Sequence, residues 1–305
     1  METKLFLSQQ GIKLSNKQVV QLYMVTGGIP YYLSLAKKGL SVTQLIEHLA
    51  FKPTSLLFKE FDNLLASLFE EAAPYIELIN IIAKHHYGIE QEDIIKKSKY
   101  LSRGGRASEK LTELEEAGFI ISFTPYSHKR KGIYYRVLDE YTLFYLKWIE
   151  PIRKTLQKES LETGYWEKIQ FSPAYYSWSG YAFESICYKH LSQIRKKLNI
   201  TPGAIVNTWR YSPKVHSKEK GVQIDLLFDR PDDAITLCEI KYSEKPFVID
   251  KQYAISLQSK REVFVEKTKT FKQVFIAMIA SNGIKKNVNM IDLVDGVVTL
   301  EDLFQ

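Results

Sequence analysis

Cysteine is the scarcest residue in this sequence, with two among 305 positions, Cys187 and Cys238. Each lies alone within an apolar stretch, away from the short cysteine spacings of metal sites and redox motifs. The pattern predicts two reduced thiols in the protein core. It argues against a disulfide framework and against a zinc site.

Long apolar runs are also missing. No stretch approaches the roughly 20 apolar residues of a membrane-spanning helix. The first residues lack the charged, apolar and small-residue regions of a signal peptide. We therefore expect a cytoplasmic protein with no membrane partner.

A third absence concerns nucleotide binding. The sequence has no Gly-x-x-x-x-Gly-Lys-[Ser/Thr] loop, the element whose backbone N–H groups cradle phosphates. The Gly27-Gly28 pair lies between two predicted helices, whereas a phosphate-binding loop follows a strand. We therefore expect no ATP site, and the chain should not be a self-sufficient ATPase.

The composition is that of an ordinary globular protein. Hydrophobic residues make up 45% and charged residues 25% of the chain, and its length suits two or three domains. The net charge of +7 is compatible with a nucleic-acid partner.

The most informative stretch is residues 221–243. It predicts a hairpin of two short strands, 222–228 and 235–242, around an Asp/Pro-rich turn. If the hairpin is symmetric about Asp232, the residues at equal distances from Asp232 face each other across the two strands.

That symmetry would place Asp225 opposite Glu239. Because side chains alternate between the faces of a sheet, Glu239 and Lys241 share a face. Two carboxylates and one ammonium group would then form a single site. Such a set suits attack on a phosphodiester assisted by Mg²⁺, which prefers oxygen ligands and activates water.

Asp225 followed by Glu239-x-Lys241 resembles the motif of the PD-(D/E)XK nuclease family, although Ile224 replaces the family's leading proline. The resemblance implies that Asp225 and Glu239 bind Mg²⁺ or Mn²⁺ and that Lys241 is the catalytic base. An alternative remains open, because charged residues on a hairpin face are often only solvated.

Glu184 is the fourth candidate residue of this site. It lies in the string Gly-Tyr-Ala-Phe-Glu, near the start of a helix predicted over residues 181–198. The same resemblance implies that Glu184 completes the metal site as a third ligand. The alternative is an acidic residue that the dipole of the helix favours near its N-terminus.

The N-terminal quarter predicts a small helical bundle. Its helices are expected over residues 3–10, 15–25, 30–37 and 41–49. Ser15 and Ser41 are predicted caps. The string Val-Thr-Gly-Gly-Ile-Pro-Tyr-Tyr-Leu at residues 25–33 resembles the lid subdomain of AAA-like, archaeal-type ATPases.

The middle segment has the order of a winged helix-turn-helix. Three helices and two strands are predicted, over residues 74–86, 90–98, 106–117, 119–124 and 133–137. The resemblance implies DNA binding through the third helix and the hairpin tip. The basic residues at these two places are Arg103, Arg106, Lys110, Lys129, Arg130 and Lys131.

An alternative for this module is also open. Many winged helices contact only proteins, and the predicted third helix carries Glu109, Glu113, Glu115 and Glu116, which would repel a phosphate backbone.

The C-terminal part predicts an α/β domain around the hairpin. An irregular basic stretch that includes Arg210 should precede the first core strand and line the substrate approach. A buried strand is expected over residues 274–280, and edge pieces over 289–293 and 297–299. A mixed sheet flanked by helices is the restriction-endonuclease-like architecture.

The order of these modules resembles the C-terminal part of archaeal-type ATPases that end in a nuclease-like domain. We predict a multidomain α and α/β protein with four segments: a lid-like bundle over 1–68, a winged helix over 69–141, a helical connector over 142–172 and a PD-(D/E)XK nuclease-like domain over 173–305.

Three possibilities remain open at this point, and one of them is a vestigial carboxylate site that only stabilises the fold. The first is a Mg²⁺-dependent DNA nuclease with a winged helix that binds DNA or a partner. The second is a non-catalytic binding arm that works with a separate P-loop ATPase chain. The missing ATPase core suggests that the chain is a fragment, a split gene product or a protein that works without nucleotide.

Overall fold

A computed structural model describes residues 2–52, 54–101, 105–126, 132–158, 164–213 and 219–305. The chain divides into two compact units. The first comprises Met1–Phe123 and Gly132–Ser185, and the second comprises Thr124–Lys131 and Ile186–Gln305. Among the described residues, no helix combines the length and the apolarity that crossing a membrane requires.

The first unit begins with five helices, which confirm the helical prediction for this region. They are α1 (Glu2–Gln9), α2 (Asn16–Thr26), α3 (Pro30–Ser34), α4 (Val42–Ala50) and α5 (Leu56–Leu68). Ser15 and Ser41 cap α2 and α4 through their side chains, and each forms a capping box with the glutamine three residues later. Gly27 ends α2 in the left-handed conformation.

A second group of elements in the first unit combines three helices with a small sheet. They are α6 (Ala72–Ala83), β1 (Ile89–Glu90), α7 (Gln91–Lys97), α8 (Gly105–Glu116), β2 (Ile120–Phe123) and β3 (Tyr134–Val137). The sheet order is β1-β3-β2, and both pairings are antiparallel. Each predicted helix and strand in this segment is present, with ends shifted by a few residues.

The remainder of the first unit is helical. It contains α9 (Glu140–Phe144), a π-helical turn (Tyr145–Ile149), a 3-10 turn (Glu150–Ile152), α10 (Arg153–Lys158), α11 (Tyr165–Ile169) and most of α12 (Pro173–Lys189). The helix predicted over 181–198 is thus wrong in its bounds. It starts at Pro173, a residue favoured in the first helical turn, and it breaks at His190 before α13 (Leu191–Lys197).

Three tryptophans of the first unit pack against one another. The rings of Trp148, Trp166 and Trp178 meet edge to face, with centroids 5.6–6.1 Å apart. All three side chains are buried. Such edge-to-face contacts add about 0.5–1.5 kcal/mol per pair beyond the burial of their surface. These rings therefore form part of the core of this unit.

The second unit is a mixed α/β structure. After α13 follow β4 (Ile205–Tyr211), β5 (Val222–Asp229), β6 (Ala234–Lys241), α14 (Lys251–Thr268), β7 (Gln273–Ala280), α15 (Val288–Leu293), β8 (Gly296–Thr299) and α16 (Leu300–Leu303). The sheet order is β4-β5-β6-β7-β8. Strands β4, β5 and β6 pair antiparallel, whereas β6, β7 and β8 pair parallel. Helix α14 supplies the crossover that the parallel pair β6-β7 needs.

Two predictions for the second unit are wrong. The stretch around Arg210 was expected to be irregular, but it forms β4, whose pairing with β5 a single sequence does not reveal. Residues 289–293 were expected to be an edge strand, but they lie in α15. The Asn287 side chain caps this helix by accepting a hydrogen bond from the Met290 N–H at 2.9 Å.

The side of the sheet that α14 covers holds a compact apolar core. Phe264 of α14 is fully buried and meets Trp209 edge to face at 5.1 Å and Tyr126 in a stacked arrangement at 5.6 Å. This core fixes α14 against the sheet, and the helix in turn carries two side chains of the candidate site.

We expect Phe264→Ala to lower the free energy of unfolding of the second unit by about 3–5 kcal/mol, because the truncation removes buried surface and leaves a cavity. Phe271→Ala is the matched control, since Phe271 is fully exposed, and it should change stability by less than about 0.5 kcal/mol. Urea unfolding followed by circular dichroism measures both. Equal effects of the two changes would contradict this account of the core.

Candidate functional site

The β5-β6 hairpin has the register that the sequence predicts. Leu226 pairs with Cys238, and the pairing continues to Asp229 with Ile235, so the two strands are symmetric about Asp232. The paired residues end at Leu226, and Asp225 lies just beyond them, between Ile224 and Leu227, where the pairing of β5 with β4 shifts its register. The Asp225 carboxylate lies against β6, because its Oδ2 accepts a hydrogen bond from the Ile240 N–H at 3.1 Å.

Asp225 occupies an environment that disfavours its charged form. Burial, together with the neighbouring charge of Glu239, raises the pKa of Asp225 to about 6. Its side chain also accepts a hydrogen bond from Gln223 Nε2 at 3.3 Å. The Tyr188 hydroxyl donates to the backbone carbonyl of Asp225 at 2.7 Å and holds the strand in place.

Glu239 is buried, with 5% of its surface exposed, and it is surrounded by donors. Lys241 Nζ lies 2.9 Å from Oε1, and Lys260 Nζ donates to Oε2 at 2.6 Å. The Tyr253 hydroxyl donates to Oε1 at 2.7 Å. A buried carboxylate needs such partners, because an unpaired buried charge is strongly destabilising.

The pKa of Glu239 moves in the opposite direction to that of Asp225. Burial alone would raise the pKa of Glu239, but the charges of Lys241 and Lys260 and their hydrogen bonds outweigh burial and hold it below its ordinary value. Two adjacent carboxyl groups with pKa values pushed apart are a recurrent feature of sites that use acid and base chemistry.

Helix α14 provides the two partners that sequence analysis did not assign to the site, Tyr253 and Lys260. Asp250 starts the helix by accepting a hydrogen bond from the Tyr253 N–H at 2.8 Å. Tyr253 and Lys260 are two helical turns apart and share a face with the buried Leu257. The signal available in the sequence was a Tyr and a Lys two helical turns apart, on the same predicted face as an apolar residue.

The space around Glu239 is small. A cavity of about 10 Å³ lies between Glu239, Lys260 and Leu257, on the side of the sheet that α14 covers. That volume suits about one water molecule. A larger group could reach this carboxylate from that side only if Lys260 moved.

Glu184 belongs to the first unit, whereas Asp225 and Glu239 belong to the second. Glu184 lies on α12 within the first unit, where it lines a cavity of about 20 Å³ together with His85 and His86. Within the described ranges, no group of three or more His, Cys, Asp and Glu residues could hold a metal ion. The role of Glu184 as a third ligand therefore stays a prediction.

The residues predicted to bind nucleic acid are only partly described. Lys110 lies on α8, where its Nζ is 3.2 Å from the Tyr75 hydroxyl and 4.3 Å from the centre of the Tyr75 ring. Arg210 is exposed on β4. Arg106 belongs to α8, but its side chain lies outside the described residues. Four further residues of the prediction also lie outside them: Arg103, Lys129, Arg130 and Lys131.

The donor set of the hairpin fits a divalent cation in part. Mg²⁺ commonly uses one or two carboxylates and retains several waters, and Asp225 keeps free lone pairs beside its two hydrogen bonds. Glu239 already accepts from three donors. A cation at this carboxylate would therefore compete with the ammonium groups of Lys241 and Lys260.

Comparison with known proteins finds one family model that matches the part of the chain containing this site. Residues 145–263 match the DUF234 family, described as archaeal and bacterial proteins of unknown function. An uncharacterized protein of Methanocaldococcus jannaschii, MJECL04, is 25% identical over 241 residues. The match covers 75% of this chain and 48% of that protein, so the chain spans about half the length of its relative. No solved structure matches the chain.

We expect Asp225→Asn to stabilise the protein above pH 6. The raised pKa of Asp225 means that its charged form costs free energy in the folded state. The neutral amide should therefore increase the free energy of unfolding at pH 8 by about 1–3 kcal/mol, because one pKa unit corresponds to about 1.4 kcal/mol. The gain should shrink as the pH falls through about 6. Below the ordinary pKa of 3.8 it should be absent, because Asp225 is then protonated in both states.

Urea unfolding between pH 3.5 and 8 tests this expectation. Asp292→Asn is the control, because Asp292 is exposed on α15 and should change stability by less than about 0.5 kcal/mol at every pH. A destabilisation by Asp225→Asn that does not depend on pH would contradict the expected environment of Asp225.

Proposed function

We propose that the second unit is a nuclease-like domain that hydrolyses phosphodiester bonds in DNA with the help of Mg²⁺ or Mn²⁺. The observation that carries the proposal is the joint position of Asp225 and Glu239 on paired strands, with Lys241 2.9 Å from Glu239. A charged side chain that is only solvated on a hairpin face lies in water, whereas Glu239 is buried and accepts from three donors.

The topology of the second unit supports this interpretation. Helix α13 precedes three antiparallel strands, and α14 then leads to the parallel strand β7. We interpret this order as a restriction-endonuclease-like arrangement, in which the carboxylates lie on the second and third strands. The likeness is one of topology, and the proposed chemistry depends on the side chains.

Each side chain has a proposed part in the reaction. Asp225 and Glu239 would bind the ion, which supplies a Lewis acid and an activated water when it is bound. Lys241, as the ammonium group that pairs with Glu239, would orient the attacking water or neutralise charge that develops on the phosphate. To act as the base that takes the proton of the water, Lys241 would first have to lose its own proton. Lys260 and Tyr253 would keep the Glu239 carboxylate in a fixed orientation through their hydrogen bonds.

The elements from α6 to β3 support a proposed role in positioning nucleic acid. Their order of helix, strand, two helices and a two-stranded hairpin is that of a winged helix, which binds DNA with its third helix and its hairpin. Here these would be α8 and the tip between β2 and β3. Lys110 of α8 donates a hydrogen bond to the Tyr75 hydroxyl. To bind a DNA phosphate, its ammonium group would have to give up this hydrogen bond.

We expect purified protein to cleave plasmid or single-stranded DNA with Mg²⁺ or Mn²⁺, and we expect Asp225→Asn and Lys241→Ala each to reduce cleavage by about 100-fold or more. Asp225→Asn is the more informative change, because it is also expected to stabilise the fold, so a loss of activity would not reflect unfolding. Lys245→Ala, at an exposed position four residues after Lys241, is the control.

Gel analysis with an EDTA control measures the effect. Undiminished cleavage by Asp225→Asn or Lys241→Ala would exclude this site as the catalytic centre. Parallel reactions with RNA of the same sequence determine which nucleic acid is the substrate.

A second candidate function is a non-catalytic binding arm for an archaeal-type ATPase. The observation that favours it is the full set of donors on Glu239, which gives the carboxylate a structural role without a metal ion. The chain also covers 48% of its M. jannaschii relative. A partner that carries a P-loop would then be a separate chain.

If the protein is a binding arm, its DNA affinity should fall steeply with salt and stay unchanged in Asp225→Asn. Each lost phosphate contact lowers the slope of log K against log salt by about one. Replacing Lys129, Arg130 and Lys131 together by Ala should therefore lower that slope by about three. Fluorescence anisotropy with labelled duplex DNA measures it, and Lys96→Ala with Lys97→Ala on α7 is the control. An unchanged slope would exclude the hairpin tip as the DNA contact and would favour a protein partner.

A further inference from the structure

A cavity in the first unit lies outside the proposed nuclease site. Its volume is about 220 Å³, and it opens between the end of α6, the π-helical turn and α12. Its apolar wall is formed by Ala83, Leu143, Leu146, Trp178 and Tyr181. Cavities with apolar and aromatic walls and a few convergent polar groups are the usual form of small-molecule sites.

The wall of this cavity contains a buried donor without an acceptor. Trp178 is 6% exposed, and its indole N–H meets no acceptor within the part of the chain that the structure describes. Buried polar groups in native proteins are nearly always hydrogen-bonded, to protein, to water or to a ligand. The indole nitrogen is itself fully buried, so what Trp178 presents to a molecule in the cavity is its apolar ring.

The backbone beside the cavity is unusual as well. The π-helical turn Tyr145–Ile149 brings both Leu146 and Lys147 to the cavity lining. Single π-helical turns within helices are rare and occur frequently at functional sites.

The polar groups at the rim favour an anion. Lys84 and Lys147 bring two positive charges, and Glu150 brings one negative charge. His86 stacks on Tyr181 with ring centroids 4.1 Å apart. Desolvation, Lys147 and His85 lower the pKa of His86, so its imidazole is neutral at pH 7 and can donate or accept a hydrogen bond. The lining therefore carries a net positive charge.

The size of the cavity limits the ligand. An engineered protein cavity of about 150 Å³ binds benzene. A cavity of about 220 Å³ is therefore large enough for a fused two-ring system, with its substituent at the open rim.

We propose that this cavity binds a small aromatic anion, a planar ring system of one or two rings with one carboxylate or phosphate group. The ring packs against Trp178, Tyr181 and Leu146, and the anionic group lies between Lys84 and Lys147. A free aromatic acid and a nucleoside monophosphate share this chemistry.

Isothermal titration calorimetry on the full chain tests the proposal with matched probes. Indole-3-acetate represents a free aromatic acid, and adenosine 5′-monophosphate represents a nucleotide. Tryptophol keeps the ring without the charge, and acetate keeps the charge without the ring. We expect at least one aromatic anion to bind in the micromolar to low millimolar range, and tryptophol and acetate to bind at least about ten-fold more weakly.

Three variants assign that binding to the cavity. Lys147→Met should weaken binding by about three- to ten-fold, because it removes one positive charge. Trp178→Phe should also weaken binding, because the smaller ring loses apolar contact with the ligand. Ala83→Phe should abolish binding, because the larger side chain fills the cavity. Lys154→Met is the control, since Lys154 is exposed on α10 and does not line the cavity. Circular dichroism checks that each variant is folded.

Each result of these titrations either supports the proposal or overturns it. Saturable binding of either aromatic anion that Lys147→Met weakens and Lys154→Met does not supports the proposal, and the stronger of the two probes identifies the source of the ligand. Absence of binding to both anions at 5 mM would overturn it. Equal affinity for tryptophol and indole-3-acetate would overturn it as well, and so would equal effects of the two lysine variants. If Ala83→Phe does not fold, the lysine and tryptophan variants still test whether the ligand binds in this cavity.

Discussion

The burial of the Glu239 carboxylate is the constraint on which the second unit depends. A buried charge is tolerated only when partners compensate it, and here the partners come from two elements. Lys241 lies on the same strand, whereas Tyr253 and Lys260 come from α14. The position of α14 on the sheet, which Phe264 and Leu257 fix by apolar packing, is therefore also the position that the charge of Glu239 requires.

The same arrangement links stability to the proposed chemistry. The lysines that neutralise Glu239 occupy the coordination positions that a cation would need, and Asp225 lies in an environment that disfavours its charge. A divalent cation would relieve the cost at Asp225 and replace lysines at Glu239. The affinity for the proposed metal ion would then be the difference between these opposing contributions.

The sequence was sufficient to predict the hairpin and its register, because strand alternation and the Asp/Pro-rich turn are local signals. The caps at Ser15 and Ser41 were predictable for the same reason. The predictions that were wrong concern elements whose structure depends on contacts between distant segments. The strand around Arg210 is defined by its pairing with β5.

The same dependence on distant contacts explains why two residues of the site were not predicted from the sequence. Tyr253 and Lys260 reach Glu239 only because α14 packs back onto the sheet after the hairpin is complete. Neither residue is close to Glu239 in the sequence pattern that suggested the site. Local sequence does not determine which face of α14 meets a carboxylate.

The topology of β6 has a consequence for the order of folding. The hairpin contacts between β5 and β6 are local in sequence, and local contacts close faster than distant ones because they cost less chain entropy. Lys260 and the parallel strand β7 can join only after the longer crossover through α14. If the hairpin forms first, Asp225 and Glu239 come together while only Lys241 is present to offset their repulsion. Electrostatic repulsion would then oppose strand pairing most directly at this step.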